Sequence, residues 1–202
     1  MFLENALKER FGHKDFSLRP VYGGDINEAF CLTAEGHDYF VKYNSASFSK
    51  TMFLAEKSGL ELLGSKGGIN IPAPLEIIEV KQGAALLLEW INPGNTSNSS
   101  WEEFGIQLAR LHHCSSDQFG LEHNNYIGRL GQSNKLSDKW LDFYLDERII
   151  PQLDLAIEKG LLKNSYLRTI EKVFKNIESI IPDEPASLLH GDLWSGNLIF
   201  DD

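Results

Sequence analysis

The pattern of apolar residues changes once along this chain, at residues 90–95, and this change restricts the fold more than any other feature of the sequence. Before it, short β-prone runs are separated by turn residues; they are Phe16–Tyr22, Ala29–Thr33, Tyr39–Tyr43, Leu75–Val80 and Ala84–Glu89, with helical patterns at residues 2–11 and Thr51–Gly64. After it, the period is helical, in Ser100–His113, Leu136–Lys159 and Asn164–Ile181. Strands grouped before helices predict an α+β fold.

The segment at the change, Trp90-Ile91-Asn92-Pro93-Gly94-Asn95, has the composition of a hinge. A chain of 202 residues with 42% hydrophobic content can bury one compact core or form two small lobes packed together. We therefore predict two lobes. Residues 1–90 are expected to form an N-terminal lobe on a five-stranded antiparallel sheet, and residues 91–202 a mainly helical C-terminal lobe.

The charge balance excludes some classes of partner. With 19 basic and 29 acidic residues, the formal charge of -10 argues against nucleic acid and against anionic membrane surfaces. No apolar run is long enough to span a bilayer, and the first residues lack a targeting pattern. Two cysteines are too few for a disulfide framework. These features predict a soluble cytoplasmic protein.

One short motif near the end of the chain indicates a reaction. In His190-Gly191-Asp192-Leu193-Trp194-Ser195-Gly196-Asn197, the interval from Asp192 to Asn197 matches the catalytic loop of the protein-kinase fold. There the carboxylate accepts the proton of an attacking hydroxyl, and the amide oxygen binds Mg²⁺. The motif therefore predicts ATP as phosphate donor, Mg²⁺ as cofactor, Asp192 as catalytic base and Asn197 as metal ligand.

Two positions in the first lobe agree with this interpretation and predict that residues 1–90 are the nucleotide-binding lobe. Lys42 lies in the third predicted strand, where the kinase lysine contacts the α- and β-phosphates, and Glu56 lies on the apolar face of the next helix. We predict that they form an ion pair. Gly23-Gly24 lies between two strands, where a hairpin turn is the ordinary interpretation, but where the kinase fold also places its glycine-rich phosphate loop.

The predicted fifth strand ends at the lobe junction with Glu89-Trp90-Ile91. Main-chain groups at this point are suited to bind the edge of an adenine ring, and we expect apolar side chains, Leu87 among them, to sandwich the ring.

Trp140, Tyr144 and Arg148 recur at helical spacing. A buried aromatic stripe with a capping arginine is the favoured interpretation, and a contact with substrate is the alternative.

Taken in order along the chain, these features resemble the fructosamine kinase family, which is similar in fold to aminoglycoside phosphotransferases and protein kinases. The motifs that carry the resemblance are Gly23-Gly24-Asp25-Ile26-Asn27, Phe40-Val41-Lys42-Tyr43-Asn44, Phe119-Gly120, Asn125-Tyr126-Ile127-Gly128, Trp140 with Phe143-Tyr144 and Arg148, and His190–Asn197. The resemblance implies ATP-dependent phosphorylation of the sugar 3-hydroxyl of a ketosamine, free or attached to a protein, and hence a role in deglycation repair. It also implies that Trp194 is a platform for the substrate.

One departure from the family concerns the end of the chain. The family continues from the asparagine to a second metal-binding aspartate and further helices, whereas this chain ends at Asp202. We expect a strand at Leu198–Phe200 that lacks its partner. On this basis we expect the 202-residue form to be inactive as a kinase and to self-associate.

Two alternatives stay open at this point. The first is a related kinase that acts on choline, homoserine, an aminoglycoside or methylthioribose; Leu193-Trp194-Ser195-Gly196 and Asn125-Tyr126-Ile127-Gly128 argue against it. The second is a non-catalytic module that binds a nucleotide or a partner, which the missing metal aspartate favours.

Overall fold

The computed structural model of the protein describes residues 2–22, 26–66, 68–177 and 179–201. The chain forms two compact units, one of Met1–Cys114 together with Leu188–Asp202 and one of Ser115–Ser187. In sequence, the second unit is therefore an insertion between two segments of the first. The predicted lobe boundary between residues 90 and 91 stays a prediction.

The first unit is built on a five-stranded antiparallel sheet, as predicted. Its spatial order is β1-β2-β3-β5-β4, and the strands are β1 (Ser17–Val21), β2 (Glu28–Ala34), β3 (His37–Asn44), β4 (Pro74–Glu79) and β5 (Ala84–Glu89). Helices α1 (Phe2–Phe11) and α2 (Ser49–Lys66) belong to the same unit, and α2 follows β3 directly. The α+β fold class is confirmed.

The two faces of the sheet pack against different helices. Val41 and Leu87 are paired across β3 and β5, and both belong to the core cluster that contains Leu7 of α1. Neighbouring positions along a strand point to opposite faces, so Lys42 and its partner Leu86 lie on the other face. The expectation that Leu87 sandwiches an adenine ring is therefore wrong, because Leu87 lies on the α1 face of the sheet.

Helix α3 (Asn98–His112) is linked to the segment that carries the candidate catalytic loop. Just after its end, the carbonyl of Cys114 accepts a hydrogen bond of 2.9 Å from the N–H of Leu188. Near its start, the rings of Trp101 and Phe200 lie 4.8 Å apart, and the N–H of Gly94 donates to the carbonyl of Phe200 at 2.6 Å. Both ends of this segment are thus fixed to α3 or to the residues beside it.

Residues 198–200 do not form the expected strand, since no regular element is present there among the described residues. The backbone of Leu198 is extended, with φ -130° and ψ 128°. The contact of Phe200 with Gly94 and Trp101 takes the place of a strand pairing on that side.

The second unit contains short strands and helices. Its elements are β6 (Ser115–Ser116), which pairs with β9 (Ala186–Ser187), the hairpin of β7 (Asn125–Ile127) and β8 (Leu130–Gln132), and the helices α4 (Trp140–Tyr144), α5 (Ile150–Glu158) and α6 (Leu167–Ile177). A π-helical turn, Leu145–Ile149, joins α4 to α5, and a 3₁₀ turn, Asn164–Tyr166, precedes α6.

Two helix boundaries in the second unit differ from the prediction. The predicted helix Leu136–Lys159 begins only at Trp140, because Ser137 exchanges two backbone hydrogen bonds with Phe119. Among the described residues of the predicted helix Asn164–Ile181, the α-helix covers Leu167–Ile177, and residues 179–181 are not helical. Among the described residues, no helix has the length and apolar character that crossing a membrane would require.

Candidate active site

The predicted ion pair between β3 and α2 is formed. Nζ of Lys42 lies 2.5 Å from Oε1 of Glu56, and each side chain is about one quarter exposed, at 26% and 27%. An ion pair that remains partly in water contributes at most about 1 kcal/mol to stability. Its more important effect is geometric, because the carboxylate holds the ammonium group in one place on the face of the sheet opposite α1.

The predicted glycine pair cannot be placed, since Gly23 and Gly24 lie outside the described residues. The ends of that β1–β2 connection are described. Val21 pairs with Ala29, which in turn pairs with Lys42. Val21, near the start of this connection, is therefore two strands away from Lys42, and Ala29, just after its end, is one strand away.

The predicted adenine-binding residues, Glu89, Trp90 and Ile91, lie at the end of β5 and directly after it. The N–H of Glu89 donates to the carbonyl of Ala73 at 2.9 Å, and its carboxylate accepts from the N–H of Ala73 at 3.1 Å. Glu89 is thus occupied in fixing the strand end. In the described part of the chain, Ile91 forms no backbone hydrogen bond, so its main-chain N–H and C=O remain available to a ligand.

Trp90 is fixed beside these groups. Its indole Nε1 donates to Oδ1 of Asn92 at 3.0 Å, and its ring lies 6.3 Å from that of Phe40. Since Phe40 is on the same strand face as Lys42, the two aromatic rings and the predicted phosphate-contacting lysine share one side of the sheet.

The two polar residues of the predicted catalytic loop are brought together. A 3₁₀ turn, Ser195–Asn197, folds the chain back, and the N–H of Asn197 donates to the carbonyl of Trp194 at 2.9 Å. The amide nitrogen Nδ2 of Asn197 then donates to the carbonyl of Asp192 at 2.8 Å and to its carboxylate Oδ2 at 2.9 Å. The carboxylate of Asp192 is thereby oriented while it remains in solvent contact.

His190 and Gly191 shape the start of the same loop. Nδ1 of His190 accepts a hydrogen bond of 3.3 Å from the N–H of Asp192. Gly191 has φ +85°, in the left-handed region that glycine adopts without strain. The imidazole therefore braces the loop.

The loop fits Mg²⁺ in part. Because Nδ2 of Asn197 faces Asp192, its amide oxygen faces away from Asp192 and is available to a cation. Amide and carboxylate oxygens are the ligands that Mg²⁺ prefers, and it commonly takes only one or two ligands from protein and the rest from phosphate and water. No group of three or more His, Cys, Asp or Glu residues suited to a metal occurs among the described residues.

Trp194, the predicted substrate platform, is folded over Gly196. An ideal Cβ on Gly196 would lie 2.5 Å from both Cη2 and Cζ2 of the indole, which is too close for any real side chain. The indole is nevertheless 58% exposed. The absence of a side chain at Gly196 therefore lets the ring rest on the loop backbone with much of its surface open.

We predict that Gly196→Ala displaces the indole of Trp194. The tryptophan emission should shift, and KM for the acceptor should rise about twofold to tenfold, as expected for loss of one aromatic contact of about 0.5–1.5 kcal/mol. Fluorescence and steady-state kinetics provide the measurements. Gly64→Ala is the matched control, because nothing lies within 4 Å of a Cβ at that position. A spectral shift of equal size in a Trp194→Phe background would contradict the prediction.

The three aromatic and basic candidates of the second unit are grouped there. The rings of Trp140 and Tyr144 are stacked, with centroids 4.8 Å apart and planes 13° apart. The guanidinium of Arg148 lies 4.6 Å from the centre of the Phe143 ring, and burial lowers the pKa of Arg148. The stacked rings agree with the aromatic stripe, but Trp140, Tyr144 and Arg148 are each half-buried rather than buried as expected. A contact with substrate stays a prediction.

Asn134 is the buried partner of Arg148. This asparagine was not identified from the sequence. It is only 2% exposed. Its Oδ1 accepts from Nη2 of Arg148, its Nδ2 donates to the carbonyl of His123 at 3.0 Å, and its own N–H donates to Oδ1 of Asn124 at 3.1 Å. Arg148 and Asn134 together fix the loop that carries the β7–β8 hairpin. No local signal marks an asparagine whose partners lie 10–14 residues away.

The sequence of the chain is similar to those of known proteins. The family model for fructosamine kinase matches residues 2–202. A probable ketoamine kinase of Enterococcus faecium is 37% identical over 188 residues, which cover 90% of this chain and 64% of that protein. A probable ketoamine kinase of Escherichia coli is 33% identical over 197 residues, covering 96% of this chain and 68% of that protein. The chain thus spans about two thirds of the length of these relatives.

Solved structures agree with the sequence matches. A candidate fructosamine-3-kinase from Haemophilus somnus superposes with a TM-score of 0.81 at 31% identity, over 99% of this chain and 68% of that one. An aminoglycoside phosphotransferase in complex with AMP-PNP and hygromycin B gives a TM-score of 0.65 at 16% identity, over 100% of this chain and 68% of that one. At such low identity the second likeness shows the fold alone, and that fold is the predicted protein-kinase-like one.

Proposed function

Because the chain belongs to the fructosamine kinase family, we propose that the protein transfers the γ-phosphate of ATP to the sugar 3-hydroxyl of a ketosamine. The observation that carries the proposal is the Asp192–Asn197 turn, in which an exposed carboxylate is oriented by an amide. The same unit holds the Lys42–Glu56 ion pair. A base for a hydroxyl and a cation for a phosphate are the two protein groups that phosphoryl transfer requires most directly.

The proposed reaction assigns one task to each group. Asp192 accepts the proton of the 3-hydroxyl as its oxygen attacks the γ-phosphorus. The new O–P bond forms while the bond from the γ-phosphorus to the β,γ-bridging oxygen breaks, so ADP leaves. Lys42 contacts the α- and β-phosphates, and Glu56 keeps its ammonium group in place. The amide oxygen of Asn197 would hold Mg²⁺, which supplies neutralisation of the phosphate charge when bound.

The choice of acceptor rests on the relatives. Two of them are named probable ketoamine kinases, and a structural neighbour is a candidate fructosamine-3-kinase. A ketosamine phosphorylated at O3 can decompose and release the amine, so we assign a role in the repair of glycated amines. Cys31 and Cys114 are both free thiols, which is in keeping with the reducing cytoplasm.

A substrate survey tests this proposal. The longest natural form of the protein that contains this chain is incubated with ATP, Mg²⁺ and each of fructosyl-lysine, ribulosyl-lysine, choline and an aminoglycoside, and ADP release is followed by a coupled assay. We expect turnover with the ketosamines alone. Turnover only with choline or the aminoglycoside would support the related kinases instead, and ATP binding without turnover on any acceptor would support the non-catalytic module.

A further inference from the structure

Asn44 connects three parts of the first unit that sequence analysis treated separately. It is the last residue of β3, two positions after Lys42. Its Nδ2 donates to Oδ1 of Asn27 at 2.8 Å and to the carbonyl of Ile26 at 3.1 Å. Its Oδ1 accepts from the N–H of Ala46 at 2.9 Å. All the hydrogen-bonding capacity of the amide nitrogen is thereby directed at the residues that lead into β2.

The partners of Asn44 belong to elements with separate tasks. Ile26 and Asn27 lead into β2 and follow Gly23-Gly24, the predicted phosphate loop, which lies outside the described residues. Ala46 lies in the short connection from β3 to α2, the helix that carries Glu56. The side chain of Asn44 thus holds Ile26 and Asn27 against the segment that precedes α2.

The backbone at Asn44 is itself fixed from the opposite side. The β4–β5 turn approaches so closely that a Cβ on Gly83 would lie 1.9 Å from the carbonyl oxygen of Asn44 and 2.7 Å from Cα of Ser45. The hydroxyl of Tyr43 also donates to the carbonyl of Gln82 in that turn, at 2.8 Å. Because its main chain is held in this way, Asn44 presents its amide in one direction.

We propose that Asn44 is a positioning residue for the nucleotide, one that holds Ile26 and Asn27 in place relative to the Lys42–Glu56 ion pair. This inference rests on the proposed function, since it assumes that the chain at Ile26 and Asn27 and the Lys42–Glu56 ion pair lie at the same ATP site. Asn44 contacts neither phosphate nor acceptor in this account. Without its two donated hydrogen bonds, Ile26 and Asn27 are no longer held at a fixed distance from the ion pair.

Asn44→Asp removes both hydrogen bonds that Asn44 donates to Ile26 and Asn27, and it also adds one negative charge. The carboxylate still accepts from the N–H of Ala46, but it cannot donate to Ile26 or Asn27. Two lost hydrogen bonds of ordinary strength predict a rise of about fivefold to 20-fold in the Kd for ATP. At saturating ATP, kcat should stay within about twofold of the parent, because the acceptor side is untouched. Asn27→Asp is the matched control, because it adds the same charge beside Asn44 while its Oδ1 still accepts from Nδ2 of Asn44. Its Kd for ATP should rise less than that of Asn44→Asp.

A second readout needs no nucleotide. Hydrogen exchange of the amides at Ile26, Asn27 and Glu28 should be faster in nucleotide-free Asn44→Asp than in the parent, whereas exchange in the centre of α2 should be unchanged. Asn27→Ala removes one acceptor and should reproduce part of both effects. In the double variant Asn27→Ala with Asn44→Ala, the losses should be less than additive, because the two residues share one bond.

The outcomes separate this inference from the proposed function. If the parent protein fails to bind ATP, the proposed function is wrong. If the parent binds ATP and Asn44→Asp binds it equally well, Asn44 does not position the nucleotide. Faster exchange at Ile26 and Asn27 with an unchanged Kd would likewise overturn the inference. The hydrogen bonds from Asn44 would then hold these two residues without any consequence for ATP binding.

Discussion

Asp192→Asn is expected to lower kcat by about 100-fold to 10,000-fold, the contribution usual for a general base, with little change in the Kd for ATP. The reason is local. The asparagine oxygen can still accept the hydrogen bond that Nδ2 of Asn197 makes at 2.9 Å with the carboxylate, so the loop keeps its shape. What is lost is the capacity to take the proton of the attacking hydroxyl. Steady-state kinetics on a ketosamine, with calorimetry for ATP, provide the measurement.

Asp183→Asn is the matched control, because it makes the same chemical change at an exposed position of the second unit. Its rate should equal that of the parent protein. An Asp192→Asn enzyme of undiminished rate would show that the reaction needs no base at this position, and the proposed mechanism would then be wrong.

Lys42→Met is expected to weaken ATP binding about tenfold to 150-fold, as for the loss of a charge-assisted hydrogen bond of about 1.5–3 kcal/mol. Methionine retains much of the length and apolar character of the lysine stem, so packing between β3 and α2 should change little. Glu56 would lose the partner that lies 2.5 Å away, and its carboxylate would then also repel the phosphates. Titration calorimetry with ATP measures the effect directly.

Lys50→Met provides the comparison. Lys50 also forms an ion pair in the first unit, with Glu79, but their side chains are 53% and 72% exposed. Loss of that pair should leave the Kd for ATP unchanged. Equal affinity in the Lys42→Met variant and the parent protein would remove Lys42 from the nucleotide site.

The elements that the sequence predicted best are those with a clear local pattern. Turn residues separate the runs that become β1, β2 and β3, and the apolar spacing of residues 2–11 predicts α1 with its end at Gly12, whose φ is +79°. Lys42 and Glu56 were predictable as a pair because each is a charge set in an apolar pattern, one on a strand and one on a helix.

The errors arise where a local pattern is absent, where it misleads, or where the partners are distant in sequence. Residues Ala84–Leu88 are all buried and all apolar, so their sequence has no alternation from which to assign Leu87 to a face. The start of α4 was placed too early because Leu136–Lys139 continue a helical pattern, although Ser137 is paired with Phe119. Asn44 and Asn134 act through partners that are distant in sequence, and asparagine is common in ordinary turns.

The way the second unit joins the first has a consequence for how such proteins diverge. Ser115 and Ser187, its first and last residues, are partners in the β6–β9 pair, so their Cα atoms lie only about 5 Å apart. The hydrogen bond between Cys114 and Leu188 closes the first unit immediately beside them. A segment with adjacent ends can be lengthened, shortened or exchanged at a closure cost that grows only slowly with its length. Natural variation and engineered chimaeras are therefore expected to replace residues 115–187 as one segment, while Lys42, Glu56, Asp192 and Asn197 remain on an unchanged first unit.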